Sequence, residues 1–234
     1  MMVVSGYIQL NFWEYSAAIA HKYGVKAYAS LDESRVKDKK ARELRSSTEA
    51  YRGRAMNAWN AGMDGICLFN YRDMGNTILK EIGEREILEK LDKFYFTSVR
   101  GEGEIAWGGI PHQEFINIPT LNPGHPLSIK PGENSKIFLP VGEDFSHSAR
   151  DGIYPGIKMY IEYEAPSNIN TKAITVKLNG NIMRVDFINE RTLEYNVPGS
   201  YVKQGMNEVE ISVEGSISSP CIISDLYVLI KYSE

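Results

Sequence analysis

Apolar positions in the first hundred residues follow two different periods. Short unbroken apolar runs predict buried strands at about residues 2–5, 25–31 and 63–69. Apolar residues at helical spacing predict helices at about residues 12–23, 46–61 and 77–92. A charged loop is expected over about residues 33–46. The order β-α-β-α-β-α has the spacing of parallel strands joined by crossover helices.

Capping residues set the expected ends of these helices. Asn11 can cap the first helix, and Ser46 with Glu49 forms a capping box for the second. Gly62 suits the residue that ends the second helix. The third helix is expected to break near Gly83.

The pattern changes at residues 94–99. From there Gly, Pro and Asn become more frequent, and six runs of alternating apolar and polar residues replace the helical period. Turn signals, such as Asn179-Gly180, separate these runs, which is typical of a β-sandwich or barrel. The sequence therefore predicts an α/β part over residues 1–98 and an all-β part over residues 99–234.

Composition excludes some classes of function. The chain has 234 residues and a formal net charge of −4, which gives no electrostatic basis for binding nucleic acid. The four histidines are far apart in sequence, so no zinc site and no other metal or cofactor is expected. Cys67 and Cys221 lie in apolar runs and are expected to be free buried thiols, with a disulfide as the alternative.

The N-terminus resembles neither a signal peptide nor a membrane span. It lacks a charged region followed by a long apolar stretch. The localisation is left open, because a longer parent protein could be secreted or periplasmic.

One motif resembles a known family. The segment from Tyr51 to Asn70, with Ala61-Gly62-Met63-Asp64-Gly65-Ile66 at its centre, resembles the last αβ step of bacterial glycoside-hydrolase-like TIM barrels. These barrels often end in an AGxDGIxxFN strand and continue into a β-sandwich. The resemblance implies that residues 1–98 are the last three or so units of a (β/α) barrel. The first five or so strands would then be missing, together with the strand-4 region that usually supplies the acid/base carboxylate.

A second resemblance covers about residues 130–234. The segments 176–180, 193–198 and 202–209 resemble the jelly-roll modules of the galactose-binding-like class, which read vxlNG, yxvp and lxxGxNxvxi. These positions specify a fold and do not by themselves indicate sugar binding. Asn179-Gly180 predicts a two-residue hairpin turn.

Three carboxylates are candidates for catalysis. Asp32 and Glu33 come at the end of the second predicted strand, where the barrel resemblance implies a nucleophilic carboxylate. Asp73 follows the last strand, at the same rim. Hydrolysis of a glycosidic bond requires two such groups at a defined separation. The alternative is that Asp32 and Glu33 are only loop and cap residues.

Five further residues are candidates for binding substrate. Aromatic rings can stack on sugars, while Asn and Arg can donate hydrogen bonds to hydroxyl groups. For Tyr71 and Trp13 the alternative is packing against a neighbouring helix. The candidates are Asn70, Tyr71, Arg72, Trp13 and Tyr7.

The barrel resemblance, together with these candidate residues, implies a glycoside hydrolase, or its C-terminal fragment, acting on an oligo- or polysaccharide. The alternative is a non-catalytic carbohydrate-binding or scaffolding module. Open sheet edges and an uncovered apolar face in a barrel remnant predict either a homo-oligomer that contacts through residues 1–98 or close docking of the sandwich on that face. A separate chain that supplies the missing N-terminal barrel portion is the further alternative.

Overall fold

The structure is a computed structural model with two differently built parts. The residues that it describes are 1–5, 11–73, 75–99, 117–145, 152, 154–164, 173–189, 191–214 and 220–232. The first part alternates strands and helices: β1 (Met2–Ser5), α1 (Trp13–Lys22), β2 (Ala27–Leu31), α2 (Lys39–Arg45), α3 (Thr48–Asn60), β3 (Gly65–Leu68), α4 (Ile78–Glu81) and α5 (Arg85–Leu88).

The three strands of the first part form a parallel sheet, as predicted. Their order is β1-β2-β3, with Ala29 opposite Val4 on one side and Ile66 on the other. The central strand β2 is the most buried, whereas the two outer strands are partly exposed. The prediction that all three strands are buried on both sides is therefore correct only for β2.

Three predicted local features were wrong. Ser47, and not Ser46, caps α3, because its hydroxyl oxygen accepts the N–H of Ala50. Asn11 does not cap α1, which begins after Phe12 without a side-chain cap. The expected charged loop contains helix α2. Its N-terminus is capped by Asp38, which sequence reasoning missed because the helix has no apolar period.

The second part consists of two antiparallel sheets. One has the order β10-β11-β7-β13-β4, with β5 also pairing with β13, and the other has the order β6-β12-β8-β9. Their strands are β4 (Lys93–Phe96), β5 (Leu127–Ile129), β6 (Asn134–Val141), β7 (Gly156–Glu164), β8 (Ile174–Leu178), β9 (Asn181–Ile182), β10 (Phe187–Ile188), β11 (Thr192–Asn196), β12 (Gly205–Val213) and β13 (Cys221–Lys231).

The two antiparallel sheets share a hydrophobic core. Burial alternates along β7 and β12, so that every second side chain points inwards. The inward residues of both sheets belong to one continuous cluster. The mixed architecture, with few helices and mostly antiparallel sheets, agrees with the predicted fold class. The narrower assignments, a partial (β/α) barrel and a jelly roll, stay predictions.

Asn179 and Gly180 form the predicted hairpin turn between β8 and β9. Both have positive φ, 50° and 84°, which favours Asn and Gly. The Asn179 side chain donates to Oδ1 of the buried Asn207 at 2.8 Å and accepts the N–H of Glu208 at 3.0 Å. Asn179 and Asn207, which belong to two of the segments that resemble jelly-roll modules, are thus joined by a direct hydrogen bond.

Close contacts join the two parts. Strand β4 lies before residue 98 but pairs with β13, and α3 packs against β4. Arg45 of α2 is fully buried and makes a two-point ion pair with Asp225 of β13, at 2.8 and 2.6 Å. The domain boundary at residue 98 stays a prediction.

The two cysteines differ in burial. Both are free, as expected, and Cys221 is buried, but the expectation that Cys67 is buried was wrong, because it is exposed.

Candidate functional site

The parallel sheet places its C-terminal strand ends along one edge. Asp32 follows β2 directly and is only 3% exposed, whereas the next residue, Glu33, is exposed. Asn70, Tyr71 and Asp73 follow β3. Because β2 and β3 are parallel neighbours, these residues belong to the same edge of the sheet.

Helix α3 contributes two residues that connect these strand ends. Arg54 donates from Nη1 to the main-chain oxygen of Asp32 at 2.6 Å. Its guanidinium lies over the ring of Tyr51, with 4.4 Å between the guanidinium carbon and the ring centroid. Tyr51 in turn meets Tyr71 edge to face, with ring centroids 5.3 Å apart. A continuous chain of contacts therefore runs from the end of β2 to the segment after β3.

The ionisation of these groups reflects burial and the nearby carboxylates. Burial raises the pKa of the Tyr51 phenol, the charge of Arg54 opposes that shift, and the charges of Glu33 and Asp32 add to it. Burial also raises the pKa of Tyr71, and the charge of Asp73 adds to that shift. Negative charge thus acts on both ends of the tyrosine pair.

Burial lowers the pKa of Arg54, although the charges of Tyr51 and Asp32 act in the opposite direction. Arginine nevertheless stays protonated in proteins. The site therefore holds a buried positive charge beside the candidate carboxylates.

The residues after β3 form an exposed, tightly turned segment. Asn70 has a φ of 53°, a left-handed conformation that Asn tolerates better than most residues. The carboxylate of Asp73 accepts hydrogen bonds from the main-chain N–H of Gly75 and from the side chain of Asn76, both at 3.3 Å. Asp73 and Arg72 are exposed, so solvent and ligands can reach both side chains.

Trp13 begins α1 and is 8% exposed. Its side chain is packed in the core cluster and also lines a cavity beside Arg54. Trp13 therefore packs in the core, as one alternative predicted, and also borders a cavity that a ligand can enter. Tyr7 lies outside the described residues.

Sequence reasoning missed Arg54 and Tyr51 as part of this site. A signal was present, because Arg54 is a lone charged residue among Ala50, Ala55 and Ala58 on the buried side of a helix. A charge at such a position requires a partner or a ligand. The assignment of catalytic and binding roles to the predicted residues stays a prediction.

No group of three or more His, Cys, Asp or Glu side chains placed to hold a metal occurs within the described ranges. Among the helices that the structure describes, none combines the length and apolar character needed to cross a membrane.

Comparisons with known proteins give partial structural similarity. No family model and no curated protein matches the sequence. A β-porphyranase of glycoside hydrolase family 86 from the human gut bacterium Bacteroides plebeius is similar in structure, with 16% identity and a TM-score of 0.37. The match covers 61% of this chain and 21% of the porphyranase.

Two further similar structures are wild-type BuGH86 and a variant of it, both in complex with neoagarooctaose. Each has 13% identity and a TM-score of 0.36, and the match covers 47% of this chain and 18% of the other. This chain therefore spans about a fifth of the length of these structures.

Proposed function

We propose that this chain is the C-terminal portion of a glycoside hydrolase acting on an oligo- or polysaccharide. Residues 1–98 would form the last units of a (β/α) barrel, and residues 99–234 a jelly-roll sandwich. The observation that carries the proposal is the shared strand edge, where carboxylates lie at both ends of the Tyr51–Tyr71 pair. Carboxylates together with aromatic rings are what a glycosidase needs to hold and cleave a sugar chain.

Roles follow from accessibility. Glu33 is exposed, so its carboxylate can reach a bound sugar as nucleophile or base. Asp32 is buried, so its carboxylate adds negative charge next to Glu33 without contacting the sugar. Asp73 is the partner carboxylate on the other side of the tyrosine pair. Tyr71 offers its ring as a stacking surface, and Asn70 and Arg72 offer hydrogen-bond donors.

A half-site of this kind predicts weak binding and little turnover. Under the barrel resemblance, the acid/base carboxylate comes from a strand outside these 234 residues, and a shallow pocket buries little of a ligand. We expect dissociation constants of about 1 mM for oligosaccharides and almost no hydrolysis of aryl glycosides by this chain alone.

NMR titration with a panel of oligosaccharides tests the proposal. Chemical shifts should change at Tyr71 and Glu33, and Asp73→Asn and Glu33→Gln should weaken binding. Glu214→Gln provides the matched control, since Glu214 is an exposed carboxylate in the sandwich part. Shifts confined to residues 117–232 would instead favour the alternative, a non-catalytic carbohydrate-binding or scaffolding module. Rapid turnover that Glu33→Gln abolishes would show that the chain is a complete enzyme.

The edges of the parallel sheet support a second part of the proposal, an assembly partner. Val3 of β1 is 49% exposed and Phe69, just after β3, is 52% exposed. Strands at the edge of a parallel sheet are normally covered. We propose that the missing N-terminal barrel portion or a second copy of the chain covers them. Light scattering distinguishes a dimer from a monomer, and a monomer would exclude the second copy.

A further inference from the structure

A small cavity lies where the two parts of the molecule meet. Its volume is about 90 Å³. It is lined by the start of α1, one side of α3, the end of β4 and the residues after it, and by Ile118, Pro119, Pro140 and Met206 of the second part. Among its lining residues are Trp13, Arg54, Phe96, Pro119, Pro140 and Met206.

Three hydrogen-bond donors on residues that line this cavity have no acceptor at good geometry. Trp13 Nε1 and the Nε and Nη2 atoms of Arg54 are buried, and no atom of the described residues accepts a well-aligned hydrogen bond from them, although the Tyr51 hydroxyl lies near enough to Arg54 to act on its pKa. Trp13 is 8% exposed and Arg54 is 7% exposed. Leaving such groups unsatisfied costs about 1–3 kcal/mol each, and more for a charged group. A ligand or water that accepts from them would remove this cost.

The arrangement of the donors indicates the chemistry of the ligand. The Nη1 atom of Arg54 is occupied by the Asp32 main-chain oxygen, which leaves the Nε and Nη2 edge free. That edge is the fork that binds a carboxylate through two parallel hydrogen bonds. An ionised carboxylate only accepts hydrogen bonds, so it suits a set of three donors.

We propose that this cavity binds a carboxylate group, held by the Nε/Nη2 edge of Arg54 and by Trp13 Nε1. The volume admits a carboxylate with the carbon atom that bears it. The carboxylate can belong to a small free acid or to a uronic acid. This inference does not depend on the proposed glycoside hydrolase function.

Neighbouring charges favour an anion of single charge. Glu14 lines the cavity, and the charges of Asp32 and Glu33 act on the Arg54–Tyr51 pair. These carboxylates repel a second negative charge on the ligand. A carboxylate should therefore bind better than sulfate or phosphate, which carry about two charges at neutral pH.

Titration of the whole chain with sodium acetate, followed by NMR of the tryptophan indole N–H groups, tests the proposal. Sodium chloride at equal ionic strength is the control. The Trp13 signal should shift, because a new acceptor binds its N–H. The Trp59 signal should stay in place, because that N–H already donates to the Ile82 main-chain oxygen at 2.9 Å.

Two variants test the assigned donors. Trp13→Phe keeps a ring but removes the donor, and should weaken acetate binding about tenfold. Arg54→Lys keeps the charge but removes the fork, and should weaken it at least as much. Trp59→Phe should leave acetate binding unchanged. Binding that is equal in Trp13→Phe and in the unchanged chain would overturn the proposal, as would sulfate binding as tight as that of acetate.

Glucuronate and glucose separate this inference from the proposed function. Glucuronate should shift the Trp13 signal and glucose should not. An equal shift with both sugars would refute the carboxylate site while leaving carbohydrate binding intact. Acetate binding without binding of any oligosaccharide would support the carboxylate site and count against the proposed function.

Discussion

Gly53 lies where helix α3 approaches strand β4 most closely, and its replacement by alanine should be strongly destabilising. A Cβ atom at this position would lie 2.0 Å from the main-chain oxygen of Phe94 and 3.0 Å from its carbonyl carbon. An ordinary carbon–oxygen contact is about 3.3 Å, so helix and strand would have to separate by about 1.3 Å. The contacts are with backbone atoms, which cannot rotate away as a side chain can.

The expected free-energy change follows from two opposing effects. Alanine within a helix is favoured over glycine by about 1 kcal/mol. Overpacking costs about 1–3 kcal/mol and sometimes more, and the separation also weakens packing along the α3–β4 contact. We therefore expect Gly53→Ala to lower the free energy of unfolding by about 1–3 kcal/mol. For a chain of this size, each kcal/mol lowers Tm by about 2–4 °C.

Urea denaturation measures this change, with Gly83→Ala as the matched control. A Cβ at Gly83 would meet no atom within 4 Å. That variant should be unchanged or gain about 0.4–1 kcal/mol, because alanine restricts the unfolded chain. If Gly53→Ala were as stable as the control, the close approach of α3 to β4 would not exist in solution.

Three further predictions concern the fold. Arg45→Met or Asp225→Leu alone should cost about 3–5 kcal/mol, because each leaves a buried charge unpaired, and the double variant should recover much of that loss in urea denaturation. Gly180→Val should cost about 1–3 kcal/mol, because a β-branched residue resists positive φ; an unchanged Tm would contradict the turn. The pKa of the Asp64 carboxyl is lowered, mainly by the hydrogen bond that it accepts from His21. Its stabilising effect is therefore present above the unfolded-state pKa of about 4 and is lost as pH falls through the lower folded value. Asp64→Asn should flatten the acid limb of a stability–pH curve, and an unchanged limb would contradict the contact.

Strong local patterns made much of the fold predictable. The three parallel strands, the main helices and the Asn179-Gly180 turn each have a signal within a few residues of sequence. Unbroken apolar runs, helical spacing and residues suited to positive φ are such signals. Errors at helix ends had a different cause. Ser46 and Ser47 are equally good caps in isolation, and only the hydrogen bond to Ala50 distinguishes them.

Contacts between distant segments could not be predicted in this way. Arg45 and Asp225 are 180 residues apart, and no local pattern connects a charged helix with an acidic residue in a strand. The pairing of β4 with β13 also depends on packing that arises only once both parts have formed. The candidate site shows the same limit. Its strand-end residues were predicted because they directly follow strands in the sequence. Arg54 instead comes from α3, where the helical spacing of apolar residues indicated only a buried face.

The interface between the two parts determines the geometry of the site. Gly53 sets the distance between α3 and β4, and the next residue, Arg54, holds the end of β2 at 2.6 Å. Hydrogen bonds of this kind tolerate distances up to about 3.2 Å, so a displacement of α3 by about 1.3 Å would break or redirect this one. Folded Gly53→Ala should therefore also bind acetate more weakly, with a smaller shift of the Trp13 indole signal. Undiminished acetate binding in that variant would mean that Arg54 is positioned by its own contacts and not by the packing of α3 against β4. The second part of the chain then supports the site by fixing one helix, because β13 pairs with β4 and β4 is the strand against which α3 packs.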